Sequence, residues 1–207
     1  MMSLSEMIRD FDLTSITHRR SVLDPEKLRY LNQHHLMQEI STSDGLEKSA
    51  ERSHDTVKVA FPLSQYTTVP YIKEIIRGLE GRVMNLYDIP ALAPYFFERP
   101  DLGSMEANSL LKNIPEKHYL AALDGVLVGL QALDIWDSQT LHDLLFAKID
   151  SLGITQKAFM FSLRYALTGM KSGPSIADIM RILGRERTIE RIQAAKDLAN
   201  PEHVEQA

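Results

Sequence analysis

Apolar residues recur every three or four positions through most of the chain, and no stretch alternates strictly between apolar and polar residues. The first pattern is typical of α-helices that bury one face, whereas strict alternation would indicate β-strands. The spacing is clearest over residues 71–87, with apolar positions at Ile72, Ile75, Ile76, Leu79, Val83 and Leu86. Similar spacing over 119–133, 140–152 and 159–168 extends the pattern, so we predict an all-α fold.

Capping residues and glycines predict where several helices begin and end. Three predicted helix starts pair a capping side chain with an acid or a proline: Ser3 with Glu6, Asp24 with Pro25, and Ser175 with Asp178. Glycines follow the apolar segments that end near residues 152, 168 and 183, which is where helices commonly stop. Gly78 and Gly81 are unusual inside the predicted helix over 71–87, and close packing or a nearby ligand would account for them.

Polar and proline-rich stretches predict how the helices are grouped. Residues 41–56 are polar and weakly periodic, so we predict a connector there. Pro90, Pro94 and Pro100 surround Tyr95, Phe96 and Phe97, aromatic residues that we interpret as core. We predict two consecutive helical bundles, 1–115 and 116–207, with residues 90–100 closing the first set of helices.

Charge is distributed unevenly along the chain. The formal net charge is −5, but residues 159–196 carry seven Lys and Arg against three acids, so this segment is +4 and the remainder is −9. We predict that Arg185, Arg187 and Arg191 occupy solvent-side positions of a helix, where a basic face could meet phosphates. A mixed-charge helix surface laced with ion pairs explains the same pattern.

Two arginines lie closer to apolar faces than a surface arginine would. Arg164 lies next to Leu163 in a window that is apolar on most sides, and Arg82 lies about 70° from the centre of its predicted apolar face at about 100° per residue. We therefore expect both to be half-sheltered. A guanidinium in that position needs a carboxylate, a phosphate or a base edge to offset desolvation.

The sequence lacks the common signatures of catalysis and metal binding. It contains no cysteine, no phosphate-binding G-x-x-x-x-G-K-[ST], no H-E-x-x-H and no G-x-S-x-G. Its seven histidines include no i, i+4 pair, so no metal site is expected. Asp134 and Asp137 are interpreted as cap and turn residues rather than a catalytic carboxylate pair, and no apolar run approaches the roughly 18 residues of a membrane span.

Several motifs resemble the C-terminal region of bacterial-type glutamyl-tRNA synthetases. They are LRYALTG at 163–169, GPSIADIMRILGRE at 173–186 and RTIERIQAA at 187–195. Near the other end, FDL at 11–13 and VLDPEKLRYLNQHHL at 22–36 resemble the segment that follows the catalytic domain of that family. The resemblance covers nearly the whole chain and is weakest over 41–70.

The resemblance implies a role in reading the anticodon of a tRNA. Arg82 and Arg164 match family arginines that contact the anticodon, and an arginine can donate two hydrogen bonds to an unstacked base. Candidates for contact with the tRNA backbone are Arg20, Lys27, Lys171, Arg185 and Arg187. Charge and location alone support four of them: Arg20, Lys171, Arg185 and Arg187. Lys27 matches a family position, but a structural ion pair would explain it equally well.

The resemblance also implies what this chain does not contain. The H-x-G-H and K-M-S-K-S signatures of a class I synthetase are absent, so no catalytic site and no cofactor are expected here; ATP and Mg²⁺ belong to the missing catalytic domain. The expected partner is tRNA(Glu), and binding of tRNA(Gln) is left open. We do not expect the chain to bind a membrane or DNA. We expect a monomer in a mitochondrial matrix or a bacterial-type cytoplasm. The alternative hypothesis is a helical protein-interaction adaptor with a basic face.

Overall fold

The computed structural model describes residues 3–15, 22, 24–112 and 114–199, and Arg20 lies outside them. The described part of the chain contains eleven α-helices and no strand, which confirms the all-α prediction. In chain order the helices are α1 Leu4–Asp10, α2 Pro25–Ile40, α3 Ser43–Ala60, α4 Val69–Gly78, α5 Ile89–Leu92, α6 Met105–Leu111, α7 Glu116–Gln131, α8 Ser138–Leu152, α9 Gln156–Thr168, α10 Ile176–Leu183 and α11 Arg185–Ala199. Short 3-10 turns at Leu13–Ser15, Leu86–Asp88 and Pro94–Phe96 complete the set.

The residues that were predicted to cap helices lie at helix ends in the structure. Ser3 and Glu6 make a reciprocal capping box at the start of α1, and Asp24 caps α2 with Pro25 as its first residue. Ser175 caps α10 by accepting a hydrogen bond from the Asp178 backbone N–H at 3.1 Å. Left-handed glycines follow α8 and α9, as expected where a helix must stop abruptly.

The predicted connector over 41–56 is wrong, because most of it lies in α3. Thr42 caps this helix by accepting from the Gly45 N–H at 3.1 Å. Its buried face combines apolar and small polar residues, and Ser49 and Ser53 are fully buried. Ser53 Oγ donates to the Ser49 carbonyl at 2.8 Å, which satisfies the hydroxyl inside the core. A search for apolar periodicity misses a helix whose inward positions are partly serine.

The predicted helix over 71–87 is also wrong at its C-terminal end. α4 begins at Val69 and stops at Gly78, and the chain then turns through Gly81, whose φ of +74° lies in the left-handed region that favours glycine. Arg82 therefore follows the helix instead of lying on it. Leu79, Val83 and Leu86 are buried nonetheless, because the turn folds back against the same core.

The helices form two groups that share one continuous core. In the first group α3 packs against α2, α4 and α5; in the second, α7 packs against α8, α9 and α11, and α10 packs against α8, α9 and α11. α6 packs on α9 of the second group. The division near residue 115 remains a prediction. The groups are joined where α4 meets α10, through an ion pair of Glu74 with Arg181 at 2.7 Å.

Arginines of α11 bind backbone carbonyls of the fold rather than solvent. Arg191 is 6% exposed and donates to the carbonyls of Leu167 at 2.8 Å and Glu98 at 2.7 Å, which joins the end of α9 to the segment after Phe97. Burial, and secondarily the charge of Arg187, lowers the pKa of Arg191 to about 10. The predicted solvent-side position of this arginine is wrong, because two carbonyls satisfy its guanidinium inside the protein.

Replacing Arg191 with methionine keeps a long apolar stem but removes both donors. We expect the free energy of unfolding to fall by about 3 kcal/mol, because two sheltered carbonyls lose their partners. Urea unfolding followed by circular dichroism measures the change. The matched control is Arg99→Met: Arg99 is 80% exposed in its ion pair with Glu190, and we expect a change below about 0.5 kcal/mol. Equal losses in the two variants would contradict the assigned role of Arg191.

Candidate nucleic-acid interface

Arg164 lies in the last turns of α9 and reaches the turn that leads into α10. Its Nη2 donates to the Pro174 carbonyl at 2.7 Å, and the residue is half-buried. Burial lowers the pKa of Arg164, and the charge of Arg82 contributes in the same direction. Among the described residues no carboxylate forms an ion pair with Arg164. The cation is thus held in place by one backbone carbonyl while its charge remains uncompensated.

Tyr95 approaches the same turn from the core. The residue is 1% exposed, and its ring packs against Phe96 at 4.6 Å between centroids. Its hydroxyl and the Arg164 Nη1 are both buried, and neither has a hydrogen-bond partner in the described part of the chain. A Cβ built on Gly173 would lie 3.0 Å from each of these two atoms. Gly173, with φ of +153°, therefore lets these two buried polar groups approach the backbone more closely than a residue with a side chain would allow.

Arg82 reaches this region from the other group of helices. It is exposed, so the prediction of a half-sheltered side chain is wrong; the chain leaves α4 before this residue and carries it outward. Its charge nevertheless lowers the pKa of Arg164, and it opposes the rise that burial causes in the pKa of Tyr95. The two predicted base-contacting arginines therefore lie close enough for their charges to interact.

The remaining basic candidates occupy different environments. Lys171 is exposed in the turn after α9, where its backbone N–H donates to the Glu106 carboxylate at 2.7 Å, and Lys27 is exposed on α2. Their contact with a tRNA backbone remains a prediction.

Arg185 and Arg187 are half-buried, and both guanidinium groups bind inside the fold. Arg185 donates to the carbonyls of Leu130, at 3.1 Å, and Leu133, near the end of α7. Arg187 donates to the Tyr71 hydroxyl at 2.9 Å and the Phe96 carbonyl at 2.7 Å, and its guanidinium carbon lies 3.6 Å from the centroid of the Tyr66 ring. The solvent-side positions predicted for them are wrong, because neighbouring carbonyls and rings engage them. Their contact with tRNA phosphates remains a prediction.

Sequence reasoning did not predict that Tyr95 and Gly173 lie next to Arg164. The Y-F-F run was interpreted as core, and that is correct for the Tyr95 ring. Periodicity cannot show where a phenolic oxygen points. A usable signal was the lack of a side chain at Gly173 directly before Pro174, because such a turn lets neighbouring side chains approach the backbone closely.

Two further searches of the described residues bear on chemistry. No group of three or more His, Asp or Glu side chains there could hold a metal ion. None of the described helices combines the length and the apolar character needed to cross a bilayer.

A family described as "Anticodon binding domain" matches residues 48–196, which is most of the chain. The chain belongs to this anticodon-binding domain family. Glutamate-tRNA ligase 1 of Fervidobacterium nodosum is 28% identical over 193 residues, covering 93% of this chain and 37% of the ligase. The glutamate-tRNA ligase of Akkermansia muciniphila is 30% identical, covering 93% of this chain and 41% of the ligase. The anticodon-binding domain thus spans about two fifths of the length of these relatives.

A solved structure shares the fold. The crystal structure of a glutamate tRNA ligase from Elizabethkingia meningosepticum superimposes with a TM-score of 0.76 at 23% identity, covering 95% of this chain and 37% of that one. These findings confirm the resemblance to glutamyl-tRNA synthetases and the helical anticodon-binding fold. The ligases named above come from bacteria, and the comparisons do not support the predicted mitochondrial origin.

The ionisation of Tyr95 tests the buried position of its hydroxyl. Burial raises the pKa of Tyr95 to about 12, whereas an unfolded tyrosine titrates near about 10. The stabilisation from this group is therefore complete below about pH 10 and is lost as the pH rises towards about 12. Between about pH 9 and 11, urea unfolding should show wild type losing about 1 kcal/mol more than Tyr95→Phe. Parallel losses would contradict the buried phenol.

Proposed function

We propose that this chain binds the anticodon loop of tRNA(Glu) as the anticodon-binding part of a glutamate-tRNA ligase, with Arg82 and Arg164 contacting bases. The proposal rests above all on two guanidinium groups whose charges interact and that have no ion-pair partner among the described residues. A sheltered cation without a carboxylate gains most from a ligand that supplies acceptors. The names of the relatives support tRNA(Glu) as that ligand.

Unstacked bases fit this surface better than a duplex would. Bases of a tRNA loop can turn their hydrogen-bonding edges outward, and arginine can donate to an edge or stack on a base face. Arg164 is pre-positioned by the Pro174 carbonyl, so little conformational freedom is lost when a base binds. Arg82 is exposed and free to adjust. Together they provide one fixed and one adaptable contact.

The rest of the ligase supplies the chemistry in this proposal. ATP, Mg²⁺ and glutamate bind to the catalytic domain, and this chain alone catalyses no glutamylation. The ligase is of bacterial type and acts in a bacterial-type cytoplasm, and the chain is a monomer. Recognition of tRNA(Gln) in addition to tRNA(Glu) depends on how closely the surface fits the anticodon.

An adaptor with a basic face is the weaker candidate. It requires the arginines of α11 to face solvent, whereas Arg185, Arg187 and Arg191 donate to acceptors inside the fold. Arg181 and Lys196 are likewise paired, with Glu74 and Asp124. The surplus positive charge of residues 159–196 therefore leaves little free basic surface for an acidic partner.

Alanine at Arg82 or Arg164 should weaken binding of the cognate anticodon by about 1 to 3 kcal/mol, because each substitution removes contacts to bases. Filter binding with transcribed tRNA(Glu), and with the same tRNA carrying a changed anticodon, measures the loss. The tRNA with the changed anticodon should lose much less. The matched control is Arg77→Ala, because Arg77 is exposed on α4 and pairs with Glu74.

Alanine at Lys171 tests backbone contact by the same assay. An exposed lysine that meets a phosphate should weaken every tRNA alike and reduce the dependence of binding on salt. If Arg82→Ala and Arg164→Ala also weaken every tRNA by equal amounts, these arginines do not read bases. If wild type binds both anticodons equally, the proposed function itself is wrong.

A further inference from the structure

Two side chains of α2 bind the turn that carries Arg82. Gln33 Nε2 donates to the Gly81 carbonyl at 2.9 Å, and Asn32 Nδ2 donates to the Met84 carbonyl. Neither carbonyl accepts from a backbone N–H in the part of the chain that the structure describes. The amide groups of α2 therefore supply the hydrogen bonds of two carbonyls that lie on either side of Arg82.

The inner part of the same turn is fixed in other ways. Leu79 and Val83 are each 1% exposed, so their side chains anchor the turn in the core. The Arg82 N–H donates to the Leu79 carbonyl at 2.9 Å, and the Gly81 N–H donates to the sulfur of Met37 on α2 at 3.3 Å. Burial thus anchors the apolar side of the turn, and α2 binds its outward backbone.

We propose that Asn32 and Gln33 are positioning residues for anticodon recognition, which hold the carbonyls of Met84 and Gly81 and so fix the place from which Arg82 reaches a base. This inference rests on the proposed function. It assigns part of the discrimination between anticodons to two neutral side chains that act through the backbone of the turn.

Arg82 depends on such support more than Arg164 does. The Pro174 carbonyl holds the guanidinium of Arg164 directly. The side chain of Arg82 is exposed, and its guanidinium makes no hydrogen bond within the described residues. Hydrogen bonds to a base edge weaken steeply when their angle is poor, and each degree of freedom that binding must fix lowers the affinity. A held backbone limits the positions that the Arg82 guanidinium can reach.

The environment of the two amides agrees with a positioning role. Asn32 is exposed and Gln33 is half-buried, whereas the buried residues of α2 are Leu36 and Ile40 near its C-terminal end. The packing of the helix therefore does not rest on the amide groups. An amide also donates without a charge, so it holds a carbonyl without attracting the phosphates of every tRNA alike.

The binding test uses substitutions that keep the size of the side chain and remove its donor. Gln33→Met and Asn32→Leu, singly and together, are titrated by filter binding with transcribed tRNA(Glu) and with the same tRNA carrying a changed anticodon. Each variant is also made in an Arg82→Ala background. Gln38→Met is the matched control, because Gln38 is exposed on α2 and its side chain makes no hydrogen bond within the described residues. Circular dichroism verifies that every variant is folded.

We expect each single substitution to weaken the cognate tRNA about 3- to 5-fold and the double variant about 10-fold, within the range for the loss of a hydrogen bond. The tRNA with the changed anticodon should lose less than about 2-fold. In the Arg82→Ala background the same substitutions should have no further effect, because groups that act through one contact are not additive. Gln38→Met should change every affinity less than about 2-fold.

A spectroscopic measurement tests the positioning without RNA. The sequence contains no cysteine, so Arg82→Cys accepts a single nitroxide spin label at the turn. The line shape of its electron paramagnetic resonance spectrum reports how freely the labelled residue moves. We expect the double substitution Asn32→Leu and Gln33→Met to increase the mobility of the label, and Gln38→Met to leave the line shape unchanged.

Three results would overturn the inference. The label could keep its mobility in the double variant, which would show that α2 does not hold the turn. The double variant could bind the cognate tRNA as tightly as wild type. Its loss could also be equal for both tRNAs or persist in the Arg82→Ala background, which would show that the amides act independently of Arg82. A wild-type protein that ignores the anticodon would refute the proposed function, while the spin label would still report whether α2 holds the turn, so the two failures are distinguishable.

Discussion

The contact between α4 and α10 is the constraint on which the site depends. A Cβ on Gly78 would lie 2.6 Å from the Ile182 Cδ1, so a larger residue there would require the end of the Ile182 side chain to move. Beside this contact, Glu74 pairs with Arg181 at 2.7 Å. Burial raises the pKa of the Glu74 carboxyl, but hydrogen bonds from Arg181 and Arg77 lower it by more, so the pKa lies below its usual value. Because α4 leads to Arg82 and the turn at Gly173 precedes α10, this contact influences how Arg82 and Arg164, the two arginines proposed to contact bases, lie relative to each other.

Arginine serves two different purposes in the C-terminal half. Arg185, Arg187 and Arg191 donate to backbone carbonyls where other elements end, and these ends would otherwise leave acceptors unpaired. Arg164 also holds a carbonyl, but it keeps a second nitrogen unpaired beside Tyr95. A guanidinium distributes five donors over three nitrogens, so one nitrogen can bind the carbonyl while another remains unpaired. The net charge of a segment therefore says little about the charge it presents to a partner.

The sequence was most informative where the physical cause is local. Caps at Ser3, Asp24 and Ser175 depend on residues three or fewer positions apart, and all three lie where they were predicted. The helix over 71–87 was mispredicted because the apolar spacing continues after the helix ends, in a turn that packs on the same core. α3 was missed because Ser49 and Ser53 occupy its buried face. The Tyr95 hydroxyl lies next to Gly173, which is 78 positions away in the chain, and no local pattern reports such a contact.

The most direct test of this account is a crystal structure of the chain bound to the anticodon stem-loop of tRNA(Glu). The account predicts unstacked anticodon bases in contact with Arg82 and Arg164, with α4 and α10 still packed against each other. A stem-loop bound elsewhere on the chain, with the surface between the two arginines open to solvent, would contradict the account. So would a complex in which both arginines contact only phosphates.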